Sequence, residues 1–520
     1  MKLPRTLSVL SLVLVGCSDL AEESPVAPEL ALGASGVVLV TNSSDDVVPG
    51  SFRAAIGEAN ADASIRAIRF TSGFVIELES PVEFTGDQDL EIAGHGSTLD
   101  GSALSGDETS FLATGGGDLE IADVTLQNAP GHGAVIQVPE SSEEGTTQRV
   151  VLRHVRAIDN LGHGIEINDQ EDADDAGDPD ADPQVRGNSN GSDASLEVVV
   201  IGSSFEGNGF GALDRDGLRV NEGGLGDLTF SIFDSNADAN GADGVELDER
   251  GPGHSVFEIV RSHFSGNGDF DQVAPIDKDD GFDADEVDEG DMIVTVFLST
   301  ANDNFEEGFD FNENDAGDQH VTMELSEASG NAEEGVDLEE DDDFEGGGHL
   351  FAVLTQVTAN DNGGDGGVKI RERGEGDLVG DLDRVTASGN VNDHPNADPE
   401  AEPAGVSIRE QGDGDLTADV DKATADGNAF EGISLREQDA GVLVGTVAHS
   451  QTNDNGAEGI RFREQNGGSL TAAVAHSTVM DNGEAGVRAD TSGAGTLALQ
   501  NVTFAGNGGG DTDGNVPPTP

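Results

Sequence analysis

From about residue 150, apolar and polar positions alternate in short triplets, and each triplet follows a fixed phrase. The phrase is an asparagine, three residues, a glycine, then apolar–polar–apolar. It reads Asn160…Gly164-Ile165-Glu166-Ile167, Asn240…Gly244-Val245-Glu246-Leu247 and Asn304…Gly308-Phe309-Asp310-Phe311. It returns at Asn331…Gly335-Val336-Asp337-Leu338, Asn428…Gly432-Ile433-Ser434-Leu435, Asn455…Gly459-Ile460-Arg461-Phe462 and Asn482…Gly486-Val487-Arg488-Ala489. A period of two predicts strands. Glycines at 217, 244, 281, 308, 335, 367, 405, 432, 459 and 486 are 27 residues apart in six of nine intervals. The longer intervals carry insertions such as Val391 to Pro403. A repeat of this size predicts a solenoid of stacked units. Clusters of Ser, Asn, Asp and Gly break the strands, and no 3.6-residue periodicity fills the space between them. Three short strands and their turns account for one repeat.

This pattern resembles the right-handed parallel β-helix, the fold of the pectate-lyase-like superfamily, over roughly residues 70–507. The fold class implied is all-β, a right-handed parallel β-helix solenoid. Residues one and three places after each glycine are expected to stack inside, with neighbouring coils about 4.8 Å apart. The Asn column is expected to form an amide ladder between coils. Coils stack only on neighbours, so the ends need caps. Ser51 is a good N-cap, and Phe52, Ala55, Ile56 and Ala59 share one helical face. An amphipathic helix capping the first coil is therefore expected. The phrase Ser51-Phe52-Arg53-Ala54-Ala55-Ile56…Ala59-Asn60 resembles a segment at the start of many secreted bacterial β-helix proteins. The organisation expected is 36–115 for the N-terminal cap and first coils and 116–507 for the repeats. An acidic insertion is placed at 168–194 and a patternless Gly/Pro tail at 508–520.

The N-terminus carries Lys2 and Arg5, then an apolar run from Leu7 to Val15 that is too short to span a bilayer. Leu14-Val15-Gly16-Cys17 resembles a bacterial lipobox, and Cys17 is the single cysteine. The resemblance implies a signal peptide at 1–16, acylation of Cys17 and a tether over 17–35. Membrane contact is expected only through that lipid.

Composition narrows the classes. The 520 residues include 104 acidic and 24 basic side chains, for a net charge of −80. A basic face for nucleic acid is missing. One cysteine excludes a disulfide scaffold and cysteine-rich metal sites. There is no Trp and no Tyr, only 22 Phe. Sugar sites commonly stack rings on Trp or Tyr, which weakens an enzyme reading. The charge is uneven: residues 241–350 hold 34 acidic and 3 basic side chains, and residues 361–470 hold 23 and 9.

Alternation places the residues two and four places after each glycine on the outer face. In the middle coils these are Glu246, Asp283, Asp310 and Asp337, then Asp248, Asp285, Asn312 and Glu339. Stacked like charges about 5 Å apart repel by roughly 1 kcal/mol even in water. A cation would relieve this, and oxygen-only ligands suit Ca²⁺. Asp248, Asp283, Asp285, Asp310, Asp337 and Glu339 are the candidate ligands; the alternative is a solvated acidic face with a diffuse ion cloud.

In later coils the fourth position becomes Arg371, Arg409, Arg436 and Arg463, each followed by a glutamate. Recurrence in every coil reads as a structural charge ladder, since active sites are usually unique. Where the zones meet, Asp337 and Glu339 precede Lys369 and Arg371. That arrangement resembles the carboxylates and base of β-helix polysaccharide lyases, and paired acids alone would serve a glycoside hydrolase. Asp310, Asp337, Lys369 and Arg371 are thus the best catalytic candidates. Gly162-His163-Gly164 resembles a polygalacturonase motif, but Gly-His-Gly also stands at 94–96 and 131–133. Gly187-Asn188-Ser189-Asn190-Gly191 fits a nucleophile elbow by letter only. His449 and His476 lie one repeat apart and read as structural or surface.

The sequence thus predicts an exported, lipid-anchored β-helix at the cell surface or in the periplasm. It is expected to be a rigid binding or adhesion scaffold for a polysaccharide or surface protein. The alternative is a Ca²⁺-dependent lyase or hydrolase on the same fold.

Overall fold

The computed structural model describes residues 36–139, 142, 145–169, 191–211, 214–268, 279–341, 347–392 and 402–519. The leader, Cys17, the tether, Lys278, most of the 168–194 insertion and Ser189 lie outside the described residues.

Each repeat folds as one coil. Val245–Glu249 enters one sheet, Ser255–Val260 enters the other, and His263–Ser265 closes the turn of the solenoid. All pairings between successive coils are parallel. One sheet runs through 15 strands from Val82–Phe84 to Gly510–Asp513, one strand per coil. At 4.8 Å per coil these strands span about 70 Å. The other long sheet has 23 strands. The protein is an all-β parallel β-helix.

Register follows the repeat. Val245 pairs with Phe282, Phe282 with Phe309, Phe309 with Val336 and Val336 with Val368. These residues are fully buried. Phe264 stacks edge-on against Phe282 at 5.1 Å and against Phe309 at 6.1 Å. A Tyr or Trp here would bury a donor needing its own partner, so Phe suits the interior.

The amide ladder forms and is longer than the sequence phrase indicates. Asn160, Asn208, Asn240, Asn267 and Asn304 each donate a side-chain N–H to the carbonyl of the next, at 2.9–3.1 Å. It continues from Asn331 through Asn362 and Asn390 to Asn428, Asn455, Asn482 and Asn507. At another corner, Asp234, Arg261, Leu298, Leu325 and Gln356 share a left-handed backbone with φ of 50–56°. Side-chain-bearing residues resist this conformation; the next position is a serine ladder in which Ser235, Ser262 and Ser299 each donate a backbone N–H to the hydroxyl of the next coil's serine at 3.2–3.3 Å. His449 and His476 occupy this corner, ring on ring at 5.2 Å, as expected of surface residues one repeat apart.

The helix Phe52–Ala61 forms with Ser51 as its N-cap and buries Phe52, Ala55, Ile56 and Ala59. Phe52 meets Phe70 at 5.3 Å in the first coil. The far end differs from expectation. Instead of a patternless tail, Gly510–Asp513 pairs with Ala485–Asp490, and Pro518–Thr519 pairs with Ala494–Gln500. Backbone pairing with the preceding coil needs no hydrophobic pattern, so it leaves no trace in the order of apolar and polar residues.

Candidate functional site

The 15-stranded sheet carries two columns of carboxylates on its outer side. The first, expected, stands two places after the glycine. The second stands immediately before it: Asp216, Asp243, Asp280, Glu307 and Glu334. Acid-before-glycine recurs in the sequence and could have been read there. The coil corner turns these side chains toward the outer column. Asp243, Glu246 and Asp283 each offer an oxygen within 4.8 Å of the others. So do Asp280, Asp283 and Asp310.

The outer columns are buried at Glu246, Asp248, Asp337 and Glu339 and half-buried at Asp283, Asp285 and Asp310, so the face is less open than a solvated one. Glu246, Asp248, Asp337 and Glu339 are 8 % exposed or less. Burial, followed by the neighbouring carboxylates, pushes Asp243, Asp283 and Asp310 far above the ordinary carboxylate range. Asp285 rises to about 7, chiefly through burial with Asp248 next. Asp310 accepts from the Asn312 amide at 3.0 Å on one oxygen, while its other oxygen is buried without a hydrogen-bond partner. Among the described residues, no Lys or Arg pairs with Asp243, Asp280, Asp283 or Asp310.

Cations close both ends of this stretch. Arg219 reaches Glu246 at 2.6 Å, Asp214 at 2.8 Å and Asp248 at 3.1 Å. Lys369 reaches Asp337 and Glu339 at 2.6 Å and Glu334 at 3.7 Å. Burial opposes ionisation of Glu339, but Lys369 and Arg371 outweigh it and hold the group down at about 2. Of the six candidate ligands, Asp283 and Asp310 stand together without a cation, and Asp285 lies beside them in register. Asp248 is engaged by Arg219 and Arg250, and Asp337 and Glu339 by Lys369. Asp243, Glu246 and Asp280 complete the cluster. Its chemistry is oxygen-only coordination of a hard cation.

The catalytic candidates Asp310, Asp337 and Lys369 occupy consecutive rungs of the outer column, with Arg371 two residues beyond Lys369. Burial alone would favour neutral Lys369, but Asp337, Glu334 and Glu339 drive its affinity for a proton above the normal lysine value. Arg371 is likewise paired to Glu339. His163 is 1 % exposed, its Nδ1 accepts from the Asp216 backbone N–H at 2.8 Å, and its ring stacks on His132 at 5.0 Å. These are the contacts of a packed residue.

Five places after the glycine, strand parity points inward. That position holds Glu222, Glu249, Glu286, Glu313, Glu340, Glu372, Glu410, Glu437 and Glu464, every one 2 % exposed or less. The glutamates after Arg371, Arg409, Arg436 and Arg463 therefore belong to an inner column, distinct from the outer arginines. One carboxyl oxygen accepts turn N–H groups: Glu372 from Gly374 at 2.7 Å, Glu410 from Gly412 at 2.7 Å and Glu437 from Asp439 at 2.9 Å. The second oxygen of Glu372, Glu410 and Glu437 is buried without a donor. Burial raises Glu340 to about 10, Glu410 to about 9 and Glu437 to about 7. At the last rung, Glu464 receives Thr491 Oγ1, the Ser492 N–H at 2.9 Å and the Gly493 N–H. Those donors outweigh burial, and its affinity for a proton falls.

No family model matches this chain, and no curated protein matches it. Among solved structures, pectate lyase Pel9A is 14 % identical, over 62 % of this chain and 76 % of its own, with a TM-score of 0.39. The periplasmic alginate epimerase AlgG is 10 % identical, over 84 % of this chain and 76 % of its own, with a TM-score of 0.29. PfbA, a surface adhesin of Streptococcus pneumoniae, is 11 % identical, over 91 % of this chain and 92 % of its own, with a TM-score of 0.29. The class is fixed by the strand register itself, a parallel β-helix. These likenesses are of architecture, and the site is read from its own residues.

Proposed function

We propose that this protein is an exported β-helix scaffold, lipid-anchored through Cys17, that binds extended glycans or a surface protein along its 15-stranded sheet. Ca²⁺ bound between Asp243, Glu246, Asp280, Asp283 and Asp310 supports that face. The observation that carries the reading is the carboxylate cluster between Arg219 and Lys369, in which Asp243, Asp280, Asp283 and Asp310 lack a cationic partner among the described residues and only Glu246 has one, Arg219. Burying like charges together is costly unless a counter-charge joins them, and the donors are all oxygen. A rod of about 70 Å with repeating outer columns suits a ligand that is itself extended.

A lyase or hydrolase at Asp310, Asp337, Lys369 and Arg371 is the less favoured reading, because Lys369 is held as a cation. One experiment separates the two. A glycan and polyuronate panel is assayed with Ca²⁺ and with EDTA, for retention and for released products. Ca²⁺-dependent retention without cleavage supports the scaffold. Product release that K369M abolishes supports the enzyme, and failure to retain any glycan removes the glycan reading.

A further inference from the structure

The last coils present the reverse of the acidic cluster. An open cavity of about 470 Å³ is lined by Arg461, Arg463, Arg488, Gln465, Thr491 and Ser492, among others. Arg461 is fixed to Glu431 at 2.6 Å, and Arg488 to Glu458 at 3.1 Å. Both glutamates are buried, with side chains 1 % and 2 % exposed, so the two arginines are held in place from beneath. Arg463 lies two places beyond Arg461 in the same strand, Ile460–Glu464, where Arg461 is in register with Arg488 and Arg463 with Asp490 of the next coil. No carboxylate among the described residues forms an ion pair with it. Its polar partner is the Gln465 side-chain carbonyl, a neutral group. Its sequence neighbour Glu464 points inward and is taken up by Thr491, Ser492 and Gly493. Asp490 stands opposite Arg463 in the next coil and lines the same cavity, but its ion pair is with Arg488.

We propose that this cavity is a binding site for a compact ligand bearing one oxyanion group, a carboxylate or a sulfate, received by Arg463 beside the Arg461–Arg488 pair. The argument is geometric. Guanidinium forks match oxyanions bidentately. Two of the three are already anchored, so little ordering is needed on binding. Burial, Arg461, Arg436 and Arg488 together disfavour the charge on Arg463 and outweigh the opposing pull of Asp490, and an incoming anion relieves that repulsion.

The ligand is compact for two reasons. The field of the whole molecule repels polyanions at long range. Asp490 and Asp513 stand beside Arg488 at 2.7 and 4.0 Å, so negative charge borders the positive centre. This site is separate from the carboxylate cluster and does not depend on Ca²⁺.

The test is calorimetric titration of the full chain in EDTA with sodium sulfate, glucuronate, glucose and oligogalacturonate. Saturable binding of sulfate or glucuronate is expected, with no binding of glucose; whichever anion binds identifies the preferred oxyanion. R463Q should weaken binding by about tenfold or more, the loss of one charge-assisted contact. Q465E provides a carboxylate inside the site. It should block binding while leaving the melting temperature unchanged or raised, so the test does not hinge on R463Q folding. Absence of saturable anion binding, equal binding of glucose, or wild-type binding by Q465E would each overturn the proposal. Tighter binding of oligogalacturonate than of glucuronate at low salt would overturn the compact-ligand assignment.

Discussion

The coils of residues 241–350 and those of 361–470 have the same inside and opposite outsides. In both, apolar residues pair one and three places after the glycine, the asparagine ladder runs behind them and a glutamate closes the strand. Outside, the first region gathers Asp243, Asp280, Asp283 and Asp310, while the second bears Arg371, Arg409, Arg436 and Arg463. The inner face must repeat, because each coil is packed only by its neighbours. The outer face need not, and one fold carries a carboxylate cluster and an arginine column within a few coils. The outer columns are therefore free to differ from coil to coil, and the inner ones are not.

Lys369 sits on the border and is the sharpest place to break this contrast. K369M leaves Asp337 and Glu334 without their cation, while Glu339 keeps Arg371, with a cost of about 3–5 kcal/mol expected. Chemical denaturation should show it, and Ca²⁺ should restore part of the loss. A cost near zero would mean that the acidic coils are already neutralised by something else.

Next come paired changes in the amide ladder, N331A in the acidic region and N428A in the arginine region. Each leaves backbone and side-chain groups of the adjoining rungs unsatisfied, for about 2–3 kcal/mol. Equal costs confirm a common interior. A clear difference between the two would show that outer charge reaches the core.

Ca²⁺ should act on one region only. Saturating Ca²⁺ at constant ionic strength should stabilise the protein by about 2 kcal/mol, read as a higher melting temperature that EDTA reverses. D283N should remove the response, and R436Q should not. Equal stabilisation by monovalent salt would favour a diffuse ion cloud.

The smallest effect concerns the inner column. Glu410 and Glu437 hold their protons to about 9 and 7 in the native state, against about 4.3 when unfolded. Folding therefore favours the protonated form. That contribution is complete below about pH 4 and is lost as pH rises through 7 to 9. E410Q mimics the protonated acid. It should flatten the fall and, at pH 9, be more stable than the parent. A pH profile identical to the parent's would show that Glu410 is ionised throughout.

Much of this was legible in the residues, unevenly. The Asn–Gly phrase and period-two triplets specified the coils, and Ser51 with Phe52, Ala55, Ile56 and Ala59 marked the capping helix. The outer columns at Asp283, Asp310 and Asp337 followed from alternation. The inner glutamates were open to the same argument, since position five shares parity with positions one and three. Their charge concealed them, because an ionisable residue reads as exposed. Asp243, Asp280 and Glu307 were missed for another reason: they precede the glycine, at a corner where alternation no longer applies.

The sequence alone determined the period, the strand faces and hence the β-helix, because stacking like on like needs only a local pattern repeated at fixed spacing. Only the tertiary structure decided which charges meet. Insertions between Gly244 and Gly281 and between Gly335 and Gly367 change sequence distance but not axial spacing. So Asp243 reaches Asp283, Lys369 falls beside Asp337 and Glu339, and Arg463 is left without an acid. Those contacts run between coils, across dozens of residues of chain, and pairwise electrostatics depends on separation in space.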